Sequence, residues 1–175
     1  IDGMTGTLAA FASFGKRLGD GNHLPDGEGV QLGRTARFWG QHVFVPRTGV
    51  AVHINAFNFP VWGMLEKLAP TLLAGVPAIV KPATATCYVT ELAVRLMLDS
   101  GLLPEGALQL VSGGLGNMLD HRTLEDVVGF TGSAQTALKL RSAPHILENS
   151  IRFVAEQDSL NASILGLLDP IHLSL

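Results

Sequence analysis

Residues 49–63 read GVAVHINAFNFPVWG, and this stretch decides the fold. A short β-prone run is followed at once by Asn-Phe-Pro and then by apolar residues at helical spacing, which predicts a strand that passes directly into a helix. Further apolar runs follow at residues 76–80, 108–111, 126–130 and 151–155, with helical patterns between them. The alternation predicts an α/β fold, a Rossmann-like doubly wound parallel sheet with helices on both faces.

The helical patterns have recognisable ends. Gly75 and Gly101 are plausible helix stops because glycine readily adopts the left-handed conformation that ends a helix. Pro60 is tolerated in the first turn of a helix. The predicted helices cover residues 59–74, 86–100, 115–121 and 133–141.

The residues before the first core strand have a different pattern. Apolar residues spaced by three and four predict a helix over residues 4–18, and residues 25–27, Pro-Asp-Gly, have the composition of a turn. Residues 30–45 mix polar and apolar positions in a strand-like way, which indicates an exposed ribbon.

Composition excludes several classes of function. Charged residues make up 15% of the 175 residues and the net charge is −3, so no basic cluster is available for nucleic acid. The longest apolar stretch, residues 68–80, contains two prolines and a glycine and is too short to span a bilayer. The single cysteine, Cys87, cannot form an internal disulfide, which favours a cytoplasmic protein. The six histidines show no pairing at ligand spacing, so we predict no metal site.

Polar residues follow the predicted strands at the places where ligands bind in doubly wound sheets. Asn58, Lys81, Ser133 and Glu156 each come at or after the end of a predicted strand. Because the carboxyl ends of parallel strands share one edge, we expect these side chains to converge there.

Each of these residues has a plainer interpretation. Ser133 opens a helix that could attract a phosphate, but it also fits a simple helix cap. Lys81 could bind ribose hydroxyls or a phosphate, or be a solvated surface lysine. Residues 113–116, GGLG, resemble the start of a dinucleotide fingerprint without its third glycine, and we interpret them as a turn. No Gly-x-Ser-x-Gly elbow surrounds Ser133, and Cys87 fits packing better than nucleophilic chemistry.

Longer stretches resemble a known family. Residues 49–63, KPATAT at 81–86, FTGS at 130–133 and EQDSLN at 156–161 are similar in order and spacing to the aldehyde dehydrogenase superfamily. The resemblance runs from about residue 8 to residue 166. Within the superfamily it is strongest to the semialdehyde dehydrogenases of aerobic phenylacetate and benzoyl-CoA degradation.

The resemblance implies an oxidoreductase that converts an aldehyde to an acid through a cysteine thiolate. Asn58 matches the family's asparagine in the oxyanion hole, and Glu156 matches its general base for thioester hydrolysis. Lys67 matches a lysine suspected of relaying protons; a surface charge paired with a neighbour is the alternative. The implied substrate is a small-molecule aldehyde, and the resemblance to that branch of the family implies that it is CoA-linked.

The resemblance also implies a dinucleotide cofactor. Ile54 and Asn55 match the nicotinamide side, Lys81 the adenosine ribose, and Ser133 with Thr136 the pyrophosphate. Thr84 stands where many NAD-dependent members have a glutamate that binds the ribose hydroxyls. A carboxylate there would repel a 2′-phosphate and threonine would not, so Thr84 favours NADP, with NAD as the alternative.

The family pattern divides the chain into three parts. Residues 1–48 match a helix and a ribbon that pairs subunits, which predicts a homo-oligomer; residues 49–156 match the cofactor-binding domain. Residues 157–175 match the start of the catalytic domain, followed by a divergent tail. The nucleophilic cysteine does not appear before Leu175, so we expect the catalytic domain to be missing. An inactive dinucleotide-binding module, or a remnant without stable function, is therefore an alternative to the enzyme.

Overall fold

The amino-terminal part of the chain contains one helix and one ribbon. The structure is a computed structural model, and it describes residues 2–158. Helix α1 spans Asp2–Leu18, as the apolar spacing predicts. Strands β1 (Leu24–Gln31) and β2 (Trp39–Phe44) pair antiparallel as an exposed ribbon.

The turn predicted at residues 25–27 is wrong. Pro25 pairs with Val43 inside β1, and the register shifts between Asp26 and Val30. Proline has no backbone N–H to donate, and an edge strand tolerates this because one of its sides is unpaired. A β-bulge accommodates the irregular pairing that follows. The ribbon therefore begins earlier than residue 30.

The remaining strands form one five-stranded parallel sheet with the order β5-β4-β3-β6-β7. This confirms the predicted doubly wound α/β sheet. Chain order reverses at β3, which lies between β4 and β6. The strands are β3 (Ala51–Ile54), β4 (Ala78–Lys81), β5 (Leu108–Leu110), β6 (Val127–Gly132) and β7 (Arg152–Gln157).

Helices cover both faces of the sheet and enclose two apolar clusters. The helices are α2 (Trp62–Leu73), α3 (Cys87–Asp99), α4 (Ala134–Arg141) and α5 (Pro144–Glu148), with 3₁₀ turns at Thr84–Thr86 and Met118–His121. One cluster packs Met64 and Leu68 of α2 and Val94 of α3 against Val80 of β4. The other packs Ala137 of α4 and Ile146 of α5 against the opposite face of the sheet. Complete burial of each large side chain contributes roughly 1.5–3 kcal/mol to folding.

Several helix boundaries differ from the prediction. Helix α2 begins at Trp62 rather than residue 59, so Pro60 lies in the preceding turn. That turn is fixed from outside, because Thr90 Oγ1 donates to the Pro60 carbonyl at 3.2 Å and Thr86 Oγ1 to the Phe57 carbonyl at 3.3 Å. Gly75 ends α2 at φ +76°, as expected.

Two further differences concern short helices. The helix predicted over residues 115–121 is a single 3₁₀ turn, Met118–His121, because Gly116 takes φ +53° immediately before it. Helix α5 was not predicted from sequence. Its five residues are too few for a helical spacing of apolar residues to be recognised in the sequence.

Candidate functional site

The carboxyl edge of the sheet brings together the polar residues that the sequence placed at strand ends. Ile54, the last residue of β3, is in register with Lys81 of β4 on one side and Phe130 of β6 on the other. One residue further, Thr131 is in register with Glu156 of β7. Glu156 thus lies inside β7, one residue before the strand ends at Gln157, rather than after the strand.

A cleft of about 230 Å³ opens at this edge. Asn58, from the turn after β3, and Glu156, from β7, line it together, whereas Lys81 and Ser133, which were expected to converge with them, do not. Both side chains are exposed to solvent. The remaining lining residues are Ala56, Phe59, Trp62, Gly63, Glu66 and Thr131.

Lys67 donates three hydrogen bonds behind this cleft. Its Nζ donates to Asn55 Oδ1 at 3.0 Å, to the Gly63 carbonyl at 3.2 Å and to Thr131 Oγ1 at 2.5 Å. Burial lowers the pKa of Lys67 below its ordinary value, while the carboxylates of Glu156 and Glu66 act in the opposite direction. Lys67 is therefore not a solvated surface charge.

Thr131 connects Lys67 to Glu156. The threonine hydroxyl accepts from Lys67 and donates to Glu156 Oε2 at 3.3 Å. Sequence reasoning noticed Thr131 only as part of a tetrapeptide. Its role as a link depends on the pairing of β6 with β7, which no local pattern reveals.

Asn55 and His53 are buried next to Lys67. Asn55 is 4% exposed; its Oδ1 is bonded to Lys67, and its Nδ2 has no partner among residues 2–158. His53 is 3% exposed, and its Nε2 lies 3.1 Å from Thr71 Oγ1. Burial, and secondarily the charge of Lys67, lower the pKa of His53 from 6.5 to about 4. His53 is therefore neutral at ordinary pH, and it was not identified as a site residue from sequence.

Besides Ile54 and Asn55, four residues are matched to the cofactor, and they lie in two groups. Lys81 ends β4 and is half-buried, and Thr84 is exposed in the 3₁₀ turn that follows. Ser133 caps α4: its Oγ accepts from the Thr136 N–H at 3.3 Å and donates to Thr136 Oγ1 at 3.0 Å. None of these four residues lines the Asn58–Glu156 cleft.

A carboxylate lies at the amino-terminal end of α4. The Ala134 N–H donates to Asp158 Oδ2 at 3.2 Å, so a negative group already occupies one of the free donors of this helix. Anions are favoured at such an end, and the arrangement therefore fits a phosphate as well as an aspartate. Asp158 was not identified as a site residue from sequence.

Other features stay outside the cleft. Cys87 begins α3 and does not line the cleft. Gly113 and Gly116 adopt φ +105° and +53°, which agrees with a turn. Within residues 2–158, no group of three or more acidic, cysteine or histidine side chains is arranged to hold a metal ion. No helix in that part of the chain is long and apolar enough to cross a membrane.

The strand order, the helices on both faces and the polar carboxyl edge define a doubly wound α/β domain with a cleft at the switch point beside β3, where ligands bind in such sheets. Comparison with known proteins then gives the family. Residues 2–166 match the aldehyde dehydrogenase family, and the chain belongs to that family. Its members are oxidoreductases that act on aldehydes.

Two curated relatives show how far the similarity extends. The chain is 50% identical over 166 residues to 3,4-dehydroadipyl-CoA semialdehyde dehydrogenase of Aromatoleum evansii, covering 95% of this chain and 32% of that protein. It is 32% identical over 95 residues to D-glyceraldehyde dehydrogenase (NADP(+)) of Picrophilus torridus, covering 53% of this chain and 19% of that protein. The chain thus spans a third or less of the length of these relatives.

Solved structures share the fold. A 3,6-anhydro-L-galactose dehydrogenase superposes with a TM-score of 0.68 at 24% identity, covering 89% of this chain and 31% of that chain. Betaine aldehyde dehydrogenase of Staphylococcus aureus superposes with a TM-score of 0.67 at 20% identity, covering 89% and 30%. These similarities support the architecture of the sheet and helices.

Proposed function

We propose that the protein containing this chain oxidises a semialdehyde, carried as a CoA thioester, to the corresponding acid with NADP as acceptor. The observation that carries the proposal is that Asn58 and Glu156 line one cleft while Thr131 links Glu156 to Lys67. The name of the Aromatoleum evansii relative, a CoA-linked semialdehyde dehydrogenase, supports the substrate class.

Asn58 is the proposed oxyanion donor. Its side-chain amide projects from the turn between β3 and α2, a turn that hydrogen bonds from α3 and its preceding 3₁₀ turn hold in place. A donor fixed in advance stabilises negative charge as it develops on the aldehyde oxygen. The fixed turn therefore matters as much as the amide itself.

Glu156 is the proposed general base. The Thr131 hydroxyl donates to its carboxylate, and Lys67 donates to that same hydroxyl. The hydrogen bonds run from Lys67 through Thr131 to Glu156, so a proton taken by Glu156 can pass to Lys67 along this path only when Lys67 is a neutral amine and both bonds reverse direction. The lowered pKa of Lys67 makes that neutral amine more accessible than in an exposed lysine. Lys67 is accordingly proposed to relay protons and to hold Thr131 in position.

The bound dinucleotide would accept the hydride from the substrate. Lys81 is proposed to bind the adenosine ribose, Ile54 and Asn55 to face the nicotinamide, and the capped end of α4 at Ser133 and Thr136 to bind the pyrophosphate. The fit is supported by the Ala134 N–H, which already binds a carboxylate oxygen. The Asn55 side chain is buried: its Oδ1 is bonded to Lys67, and its Nδ2, which has no partner among residues 2–158, is not accessible to solvent.

NADP is proposed over NAD because of Thr84. Its side chain is exposed just after β4 and carries no charge to repel a 2′-phosphate. One relative bears NADP(+) in its name, which is consistent with this choice.

A second candidate function is dinucleotide binding without turnover. It applies to this chain taken alone, because its single cysteine, Cys87, begins α3 and does not line the cleft. We assign Cys87 no catalytic role.

The oligomeric state, the domain bounds and the location of the protein are also proposals. The ribbon exposes Phe38, Trp39 and Phe44, each more than half accessible, which supports homo-oligomer formation through residues 1–48. We propose that residues 49–156 form the cofactor-binding domain and that the protein is cytoplasmic. Of the third proposed part, only residues 157 and 158 fall within the described residues.

Calorimetric titration of the purified protein with NADP and NAD tests the cofactor. We expect saturable binding with NADP the tighter ligand, and an approximately tenfold or greater loss of NADP affinity in Thr84→Glu, since the new carboxylate would repel the 2′-phosphate. Thr35→Glu, in the ribbon loop, is the matched control. Equal affinity for the two nucleotides would contradict the assignment of Thr84.

Steady-state oxidation of an aldehyde tests the chemistry. Glu156→Gln keeps the shape but cannot accept a proton, so kcat should fall about a hundredfold or more while the dinucleotide still binds. Tight dinucleotide binding by a native protein without aldehyde oxidation would favour the second candidate.

A further inference from the structure

Glu66 lines the same cleft as Asn58 and Glu156, yet it has no part in the proposed chemistry. It lies four residues after Trp62 on α2, so the two side chains share one helix face. The next residue, Lys67, turns to the sheet instead and bonds Thr131. Helix α2 therefore directs a carboxylate to the cleft and a cation behind it.

The wall of the cleft is acidic and apolar. Glu66 and Glu156 supply two carboxylates, and Phe59 packs edge-on against Trp62 with their ring centroids 5.3 Å apart. Glu66 takes part in no salt bridge among residues 2–158. The Lys67 ammonium is held by three acceptors and does not line the cleft. Among residues 2–158, the wall of the cleft thus presents two carboxylates, and the Lys67 ammonium that offsets part of their charge lies behind Thr131 rather than in the cleft.

We propose that Glu66 is a specificity-determining residue that disfavours aldehydes bearing a free carboxylate and admits those whose acid group is masked as a thioester or ester. The inference rests on the proposed function, because it assumes that the aldehyde enters this cleft. Like charges a few ångströms apart beside low-polarity walls repel strongly enough to shift an affinity about three- to tenfold. The preference gives a physical reason for a thioester-masked substrate.

Two aldehydes that differ in one charge provide the test: succinate semialdehyde and its methyl ester. Trp62 lines the cleft, so its fluorescence reports binding without turnover. A Trp39→Phe background removes the other tryptophan of the sequence. In that background we expect the ester to bind more tightly than the acid, with a Kd ratio that shrinks as salt screens the charges.

Glu66→Gln removes the charge and nearly keeps the shape. We expect the ratio of acid Kd to ester Kd to fall about three- to tenfold, and the ratio of kcat/KM values to change in the same direction. Glu105→Gln removes an exposed carboxylate from the loop before β5, away from the cleft, and should leave both ratios as in the native protein.

The outcomes separate this inference from the proposed function. Equal ratios in Glu66→Gln and the native protein would overturn it, as would the absence of a Trp62 signal with either aldehyde. If the ester binds with the expected preference but is not oxidised with NADP or NAD, the charge selection stands and the proposed oxidation fails.

Discussion

Thr131 and Glu156 lie opposite each other on the neighbouring strands β6 and β7, and the threonine hydroxyl donates to the glutamate carboxylate at 3.3 Å. The same hydroxyl accepts a hydrogen bond from Lys67 of α2. One side chain from each of three elements is thereby joined at the edge of the cleft. The sheet register, rather than any contiguous motif, places the proposed base beside the proposed relay.

The first prediction concerns this link. Thr131→Val removes the hydroxyl, so Lys67 loses one of its three acceptors and Glu156 loses its donor. We expect the free energy of unfolding to fall by about 1–3 kcal/mol and kcat to fall about tenfold. Urea unfolding and steady-state kinetics measure these changes. Thr131→Ser should restore most of both, whereas equal losses in Thr35→Val would mean that the hydroxyl has no special role.

The second prediction concerns Gly129, which lies beneath the Lys67 side chain. A Cβ at this position would lie 3.3 Å from Lys67 Cδ and 3.6 Å from His53 Cδ2. Gly129→Ala should therefore displace Lys67, costing about 1 kcal/mol of unfolding free energy and lowering kcat.

Gly6→Ala serves as the control for Gly129→Ala. A Cβ at Gly6 meets nothing within 4 Å, and Gly6 lies within α1. This change should stabilise the protein by about 0.5–1 kcal/mol, because alanine favours a helix. Destabilisation by both alanines would show that the effect at Gly129 is not one of local crowding.

The third prediction concerns pH and His53. Its pKa is lowered from 6.5 to about 4 in the folded protein, chiefly by burial. Between these values the unfolded chain binds a proton at His53 that the folded protein does not. The unfolding free energy is therefore unaffected by His53 above pH 6.5 and falls as the pH drops towards 4. The loss approaches about 3 kcal/mol at the lower limit.

Urea unfolding at several pH values measures the contribution of His53. His53→Gln removes the titrating group, so the unfolding free energy of this variant should depend less on pH over the same interval. His23→Gln, an exposed histidine before β1, should retain the native dependence. Identical pH profiles for His53→Gln and the native protein would show that another group is responsible.

The fourth prediction concerns the amino-terminal end of α4. Asp158 Oδ2 accepts from the Ala134 N–H, where the pyrophosphate is proposed to bind. Asp158→Asn keeps a hydrogen-bond acceptor but removes the competing charge, so NADP should bind about two- to fivefold more tightly at low ionic strength. Calorimetry at two salt concentrations measures this, and Asp99→Asn at the end of α3 is the control. Weaker NADP binding in Asp158→Asn would assign the aspartate a supporting role.

Much of the fold follows from local patterns. The apolar runs predicted the core strands, and Gly75 and Gly101 predicted the ends of α2 and α3, at φ +76° and +68°. Ser133 was expected to cap a helix, and it does so through the Thr136 N–H. These features depend on residues close in sequence, whose backbone preferences act without the rest of the chain.

Some boundaries were beyond local patterns. Helix α2 starts later than Pro60 suggested because side chains of Thr86 and Thr90, about thirty residues away, bind the carbonyls of the preceding turn. Pro25 lies in a strand because β2 pairs with it. In both cases a partner distant in sequence overrides the local preference.

The sequence by itself determined that the sheet is parallel and doubly wound, and that Asn58, Lys81, Ser133 and Glu156 come at strand ends. The tertiary structure alone decided the strand order and register, and with them that Thr131 joins Lys67 to Glu156, that His53 and Asn55 are buried beside Lys67, and that Glu66 lines the cleft. The physical reason is that the formation of a strand depends on the local residue pattern. The register between strands and the contacts between side chains depend instead on the packing of segments far apart in the chain.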